Sequence, residues 1–210
     1  MNFQKNKGCF IGIGAVVLVI VILVIWLASG YNGMYKEKQT VDEAWANVES
    51  QYQRRKDLIP NIENTVAAFA KHEETTLTSV IKARNNAEKA QAVADALPQG
   101  APADNQEFDR YMNAQNEASR ALNLYVNAVK EAYPQLTSQQ NFMDLQSQLE
   151  GTENRIQVAR EGYNAAVKKY NEKVRSFPNV LISGMFGFPE KAMFRADADA
   201  AVAPTVFEND

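Results

Sequence analysis

The sequence predicts an all-α protein: an N-terminal transmembrane helix followed by an antiparallel, coiled-coil-like bundle of four long helices. Three observations carry that expectation. Residues 10–29 hold no charged side chain and consist mainly of Val, Ile and Leu. The rest is polar enough that mean hydropathy over the chain is −0.36 even with that segment included. Beyond it, apolar residues recur at spacings of three and four through long stretches separated by proline- and glycine-bearing breaks, the period of a helix with one buried face.

The apolar segment comes first. As a helix its twenty residues rise about 30 Å, the thickness of a bilayer's hydrocarbon core. Lys5 and Lys7 before it and Ala28, Ser29 and Gly30 at its end also fit a cleavable signal. A signal core is only ~7–15 residues long, so length favours a permanent anchor. Trp26 and Tyr31 stand at the far end, where amphipathic aromatics favour the membrane interface. Lys5, Lys7 and the α-amino group precede the span with no acid, and Lys36 and Lys38 follow it. That asymmetry leans towards a cytoplasmic N-terminus and an extracytoplasmic, periplasmic-side body. Cys9 is the single cysteine and makes no internal disulfide. The apolar run follows Cys9, so it reads as a small residue at the membrane boundary and not as a lipoprotein cleavage site.

Val41, Trp45, Val48, Tyr52, Arg55 and Ile59 fall on one stripe of a helix that continues out of the span. Residues 57–61 (DLIPN) then offer Asp57 as a cap and Pro60 in a first turn. They predict a reversal, with a proline kink as the competing reading. A second helix over 61–94 has Ile62, Val66, Phe69, Leu77, Val80 and Ile81 on its apolar face. Glu73 and Arg84 extend that stripe, either as a buried pair that fixes register or, the preferred reading, as charges reaching solvent at its edge.

Residues 97–105 (LPQGAPADN) are the clearest loop. Asp104 with Glu107 resembles a capping box for a third helix running to Tyr133. Its heptad is Phe108, Tyr111, Gln115, Ala118, Leu122, Tyr125, Val129 and Ala132. After Pro134 a fourth helix over 138–176 carries Phe142, Leu145, Leu149, Thr152, Ile156, Ala159, Tyr163, Ala166, Tyr170 and Phe177, with one lapse at Lys173. Gly151 and Gly162 each weaken it by about 1 kcal/mol relative to alanine. Pro178 stops it. Residues 179–194 are apolar, glycine-punctuated and too short to span a membrane, and the alanine- and acid-rich end is expected to be loosely ordered.

The resulting division is a short flank over 1–9, a transmembrane helix over 10–30, the helical bundle over 31–177 and an apolar, then acidic, tail over 178–210. With reversals at Pro60, 97–105 and Pro134, the fourth helix returns to the membrane. Residues 180–194 then land beside the bilayer, where Leu181, Ile182, Met185, Phe186 and Phe188 meet lipid headgroups or the bundle base. If Pro60 only kinks the helix, the tail points away and needs a partner protein.

Chemistry is sparse. All 25 acids lie after Gly30, with 20 of the 22 bases, so the body carries a formal −5, the wrong sign for nucleic acid. His72 is the single histidine. With no second His and no usable Cys it completes neither a metal set nor a triad, and it reads as a surface residue. Gly12-Ile13-Gly14 lies inside the span, and Gly184-Met185-Phe186-Gly187 lacks the lysine of a phosphate loop. Paired acids such as Asp42/Glu43 and Glu73/Glu74 are ordinary solvated helix faces. No catalytic, cofactor-binding or metal residue emerges, and an enzyme is not expected. About nine residues on the far side of the span are too few for the output domain of a sensor. Arg54-Arg55-Lys56 reads either as a patch for anionic lipid or a partner or, preferred because Arg55 shares the buried stripe, as one paired arginine among solvated neighbours.

Several strings together resemble the LemA family of bacterial membrane proteins. They are Tyr31-Asn32 after the span, Ala44-Trp45, QRRKDLIPN over 53–61, Ala83-Arg84 and YPQL over 133–136. Phe142-x-x-Leu145-Gln146-x-x-Leu149, Thr152-Glu153-x-x-Ile156-x-x-Ala159-Arg160, Tyr163-Asn164, Tyr170-Asn171 and Phe186-Gly187-Phe188 complete it. The resemblance covers nearly the whole chain after Gly8; the alanine- and proline-rich loop over 99–105 departs from it as an insertion. It implies a single-pass protein with an α-helical body and supplies no catalytic residue.

The expected function is therefore a membrane-anchored helical scaffold or adaptor without catalysis or cofactor. The alternative is a self-assembling membrane-shaping or envelope-stress coat. The expected partners are the lipid bilayer and other proteins or further copies of the chain, not nucleic acid or a small molecule. Candidate interaction residues are Arg54, Arg55, Asp57, Asn61, Met185, Phe186 and Phe188.

Overall fold

The computed structural model describes residues 5–70 and 78–195, with side chains over 14–69 and 78–195. Every regular element among them is helical: α1 (Lys5–Lys56), α2 (Leu58–Ala70), α3 (Thr78–Asp95), α4 (Asn105–Ala132), a 3-10 helix (Pro134–Ser138), α5 (Gln140–Arg175) and the short α6 (Val180–Ser183). Two compact units result, one of Met1–Glu43 with Ala166–Glu190, the other of Ala44–Ala165 with Lys191–Asp210.

The second unit is the expected antiparallel bundle. Trp45 packs against Phe108 and Tyr111, Tyr52 against Tyr111, and Phe69 edge-on against Tyr133. Along these pairs α1 and α2 advance in step with α4, so they form one course parallel to it. Lys56 pairs with Asp95 at 2.8 Å, and Glu63 pairs with Arg84 at 3.2 Å, so α3 runs opposite to that course. Trp45 meets Tyr163, and Tyr52 accepts a hydrogen bond from Arg160, so α5 runs opposite as well. Each element earns its place by its stripe. Val48 and Ile59, then Ile62 and Val66, then Phe108 to Val129, then Phe142, Leu149 and Ile156 are all buried. Burial of each such aliphatic side chain contributes roughly 1.5–3 kcal/mol.

The reversal expected at Pro60 is not there. Only Asp57 interrupts the helix, and its own N–H still donates to the Gln53 carbonyl at 3.0 Å. Pro60 sits in the first turn of α2, where the backbone N–H has no intrahelical partner in any case, so its missing donor costs nothing. The chain instead runs in opposite directions before residue 71 and after residue 77. A turn displaced this far leaves the number of passes unchanged, so α5 still returns antiparallel to α1.

The other boundaries follow their caps. Asp104 accepts from the Glu107 N–H at 2.8 Å and Glu107 reaches back to the Ala103 N–H at 2.7 Å, the expected reciprocal cap of α4. Two stripe assignments fail. Ile81 is exposed. Phe177 is exposed because α5 ends at Arg175 and the buried stripe passes from Tyr170 to Val174 before it. Arg84 lies at the stripe's edge as preferred, bridging Glu63 and Glu88; Glu73, Leu77 and His72 lie outside the described residues.

The first unit pairs the outer part of α1 with the end of α5. Gly33 faces the Lys173 stem, and Gly30 faces Asn179 and Ile182, an antiparallel register. α1 contains the one stretch among the described residues that is long and apolar enough to cross a membrane, and none of that window is buried.

Candidate functional site

Within the bundle unit a polar layer crosses the core. Arg55 is only 1% exposed, yet its Nη2 donates to the Gln115 side-chain oxygen at 2.6 Å and to the Gln115 carbonyl at 3.1 Å. Its Nη1 lies 3.7 Å from a Glu153 carboxylate oxygen, and its guanidinium lies over the Tyr52 ring. Glu153 also accepts from the Ser119 hydroxyl. Arg160 closes the layer, donating to the Tyr52 hydroxyl at 2.9 Å and to Asn116 at 3.0 Å. Burial lowers the Arg55 pKa against the opposing pull of the Glu153 carboxylate. Burial likewise raises that of the Tyr52 phenol, while Arg160 and Arg55 oppose the rise. Such a layer is costly to desolvate and, once formed, costly to break.

Beside this layer Trp45, Phe108 and Tyr163 gather round Phe194, with Tyr111 against the Trp45 ring. The Asn164 side chain clamps the Phe194 backbone with both of its atoms: Oδ1 accepts from the N–H at 2.8 Å and Nδ2 donates to the carbonyl at 2.9 Å. The Arg160 guanidinium lies over the Phe194 ring, 5.2 Å from its centroid. Two C-terminal residues of the apolar tail's expected range are thereby split: Phe194 belongs to the bundle core, Phe188 to the other unit.

A half-open cleft of about 410 Å³ is lined by Glu49, Lys56, Gln91, Asp95 and Tyr111 among others. Its polar groups already answer one another. Glu49 accepts from the Gly100 N–H at 2.8 Å, and Asp95 takes both Lys56 and Gln91. Among the described residues no three His, Cys, Asp or Glu side chains gather as a metal site.

The outer side of α3 and α4 is different. A groove of about 630 Å³ has Ala83, Ala90, Ala121 and Ala128 along it, with Val93 and Leu124 standing out into solvent. The alanines repeat at the heptad interval on both helices. Lys82 and Lys89 edge the α3 side, and Glu117 and Glu131 edge the α4 side.

Of the residues singled out from sequence, Arg54, Asp57 and Asn61 are exposed, with Asp57 accepting from Gln53 Nε2 at 2.8 Å. Arg55, between them in the motif, is internal. In the other unit Phe186 and Phe188 both pack edge-on against Tyr31 at 5.4 Å. Phe188 is buried there, while Met185 and Phe186 are exposed. Gly187, at φ +70, makes the turn between the two rings.

The sequence profile of the LemA family matches residues 44–207. The chain belongs to the LemA family. A comparison with curated proteins finds no match. The LemA match begins at the start of the bundle unit and takes in Arg55, Gln115, Glu153, Arg160, Asn164 and Phe194. The apolar segment precedes it.

Sequence reading missed the layer as a whole. Its signal was present, since Gln115 and Thr152 are polar residues on otherwise apolar stripes, as Arg55 is. Arg160 and Asn164 lie off the stripe and gave no such signal.

Proposed function

We propose that this LemA-family chain is a single-pass, membrane-anchored helical scaffold that acts by binding other proteins and not by catalysis. The observation that carries the anchor is a change of character within one helix. Residues 16–25 of α1 leave every side chain 50–63% exposed although all are Val, Ile or Leu, while Val41, Trp45 and Val48 of the same helix are fully packed. The uncharged run 10–29 that contains residues 16–25 is long enough as a helix to cross a bilayer, and those unpacked side chains suit lipid. The lysine asymmetry about it supports an extracytoplasmic body, which protease access in intact cells tests.

The groove on α3 and α4 supports the scaffold. Its small-residue floor admits the close approach of a helix, and its oppositely charged edges fit an amphipathic partner helix with acids on one flank and bases on the other. The same edges favour a second reading, a self-assembling coat, because α3 of one copy set against α4 of another brings Lys82 and Lys89 to Glu117 and Glu131. A photo-crosslinker at Leu124 in the full chain in cells decides between them. An adduct to a different protein, lost when the exposed groove residue Val93 is changed to Glu, supports the scaffold. An adduct between copies supports the coat, and no Val93-dependent adduct refutes both.

A further inference from the structure

The first unit has a two-faced segment at the place where the apolar helix ends. In α6 and the turn after it, Ile182, Ser183 and Phe188 are buried while Val180, Leu181, Met185 and Phe186 are exposed, Leu181 at 64% and Met185 at 80%. The exposed Phe177 precedes them. The buried side is fastened to α1 at the first residues after the apolar segment. A Cβ on Gly30 would stand 3.0 Å from Asn179 Oδ1 and 3.1 Å from Ile182 Cδ1, and Tyr31 receives Phe186 and Phe188 on its ring. Asn179 in turn donates to the Lys173 carbonyl at 3.0 Å, which holds the segment to the end of α5.

We propose that this segment is an interfacial foot: Phe177, Leu181, Met185 and Phe186 enter the headgroup–acyl boundary of the bilayer that receives residues 10–30. The occupant is a lipid surface because the segment is fastened at Gly30 and Tyr31, the two residues that directly follow the uncharged run 10–29, whose Val, Ile and Leu side chains over 16–25 are exposed. Amphipathic segments with one aromatic-rich face lie at that depth. A foot adds a second point of contact to a single span, so the first unit is held against tilting and rotation at the membrane.

This inference rests on reading residues 10–30 as the anchor, and one experiment separates the two. The full chain, with Cys9→Ser, is reconstituted into phosphatidylcholine–phosphatidylglycerol vesicles carrying spin-labelled lipid, with the label in the headgroup region or deep in the acyl chain. A polarity-sensitive fluorophore is placed in turn at Met185→Cys, Val19→Cys and Lys169→Cys. Lys169 is the aqueous reference: it is exposed, next to Tyr170, whose environment includes Asp42, about 16 Å along α1 from Tyr31. The expected result is headgroup-label quenching at Met185 at least about threefold that at Lys169, with a blue-shifted emission. Equal quenching at Met185 and Lys169 overturns the foot. Deep-label quenching at Val19 supports the anchor, and its absence overturns the anchor whatever Met185 gives.

Discussion

The role of the QRRKDLIPN motif turns on whether its second arginine is a surface contact or a core residue, and truncating it answers the question. Arg55→Ala removes the donor to the Gln115 side-chain oxygen, the closest partner of Arg55 at 2.6 Å, and empties the volume of one of the largest fully buried side chains. An orphaned buried acceptor costs about 1–3 kcal/mol and the cavity adds a similar amount, while the one-third exposed Glu153 recovers water. The expected loss is therefore about 3–5 kcal/mol, in the range for breaking a buried charged pair. Arg55→Met keeps the stem and isolates the polar loss, about 1–3 kcal/mol. Gln115→Leu alone removes the side-chain acceptor, while the residue 115 carbonyl and Glu153 still face the guanidinium, and costs about 1–3 kcal/mol; combined with Arg55→Met it leaves an apolar pair. The double variant is thus expected to be less destabilised than the sum of the singles by about 1 kcal/mol or more. The assay is urea unfolding of the full chain in detergent micelles, followed by helical circular dichroism. Additive singles and double, or an Arg55→Ala loss no greater than that of its exposed neighbour in Arg54→Ala (within about 0.5 kcal/mol of zero), refute the buried layer as a structural unit.

Three further outcomes follow from the same coordinates. Asn164→Leu removes both hydrogen bonds to Phe194, and it should cost about 1–3 kcal/mol and make the segment around Phe194, residues 191–195, more open to limited proteolysis; unchanged cleavage there refutes the clamp. Gly187→Ala places a side chain at φ +70 and should cost about 1–2 kcal/mol, read as a lower unfolding midpoint, with Gly184→Ala, at an ordinary helical φ, as the neutral comparison. Burial pushes the Tyr125 and Tyr170 phenols up to about 12 from 10.0, with Glu63 and Asp42 adding to the rise at each respectively. The folded state keeps those protons longer than the unfolded chain, so this stability is complete below pH ~10 and is lost as pH rises towards ~12. Tyr125→Phe should flatten that alkaline decline by roughly 2–3 kcal/mol, and a variant with the parent's slope refutes the assignment.

Much of the bundle was legible because its signals are local. Heptad spacing named the buried faces of α1, α4 and α5 nearly residue for residue, and the reciprocal Asp104–Glu107 cap placed the start of α4. Arg55 was legible as the paired arginine of its triplet because it shares a stripe with Val48, Tyr52 and Ile59, all of them buried. Its partners were not, because Gln115 and Glu153 are brought to it by the order in which helices pack, which no spacing encodes. The same holds for Phe194: a run of apolar residues says that something will be buried, not that one ring enters the Trp45 cluster while Met185 stays in the open.

The reversal shows how a wrong local reading can leave the architecture intact. Asp57 as a cap and Pro60 in a first turn predict a new helix after a reversal; Pro60 does sit in a first turn, but there it removes only a donor that has no partner, so the helical course carries on. Residues 71–77, KHEETTL, hold neither proline nor glycine and gave no turn signal. Yet the direction of the chain changes across them, as the Glu63–Arg84 and Lys56–Asp95 pairs require. What decides where the apolar tail ends up is the number of reversals between α1 and α5, and that number is odd for either position of the first one. An odd count brings α5 back along α1, and within the first unit it sets Ile182 and Phe188 against Gly30 and Tyr31. Topological parity is therefore a sturdier inference from sequence than the site of any single turn. It is parity that puts the exposed ring of Phe186 beside Tyr31, directly after the apolar run of α1.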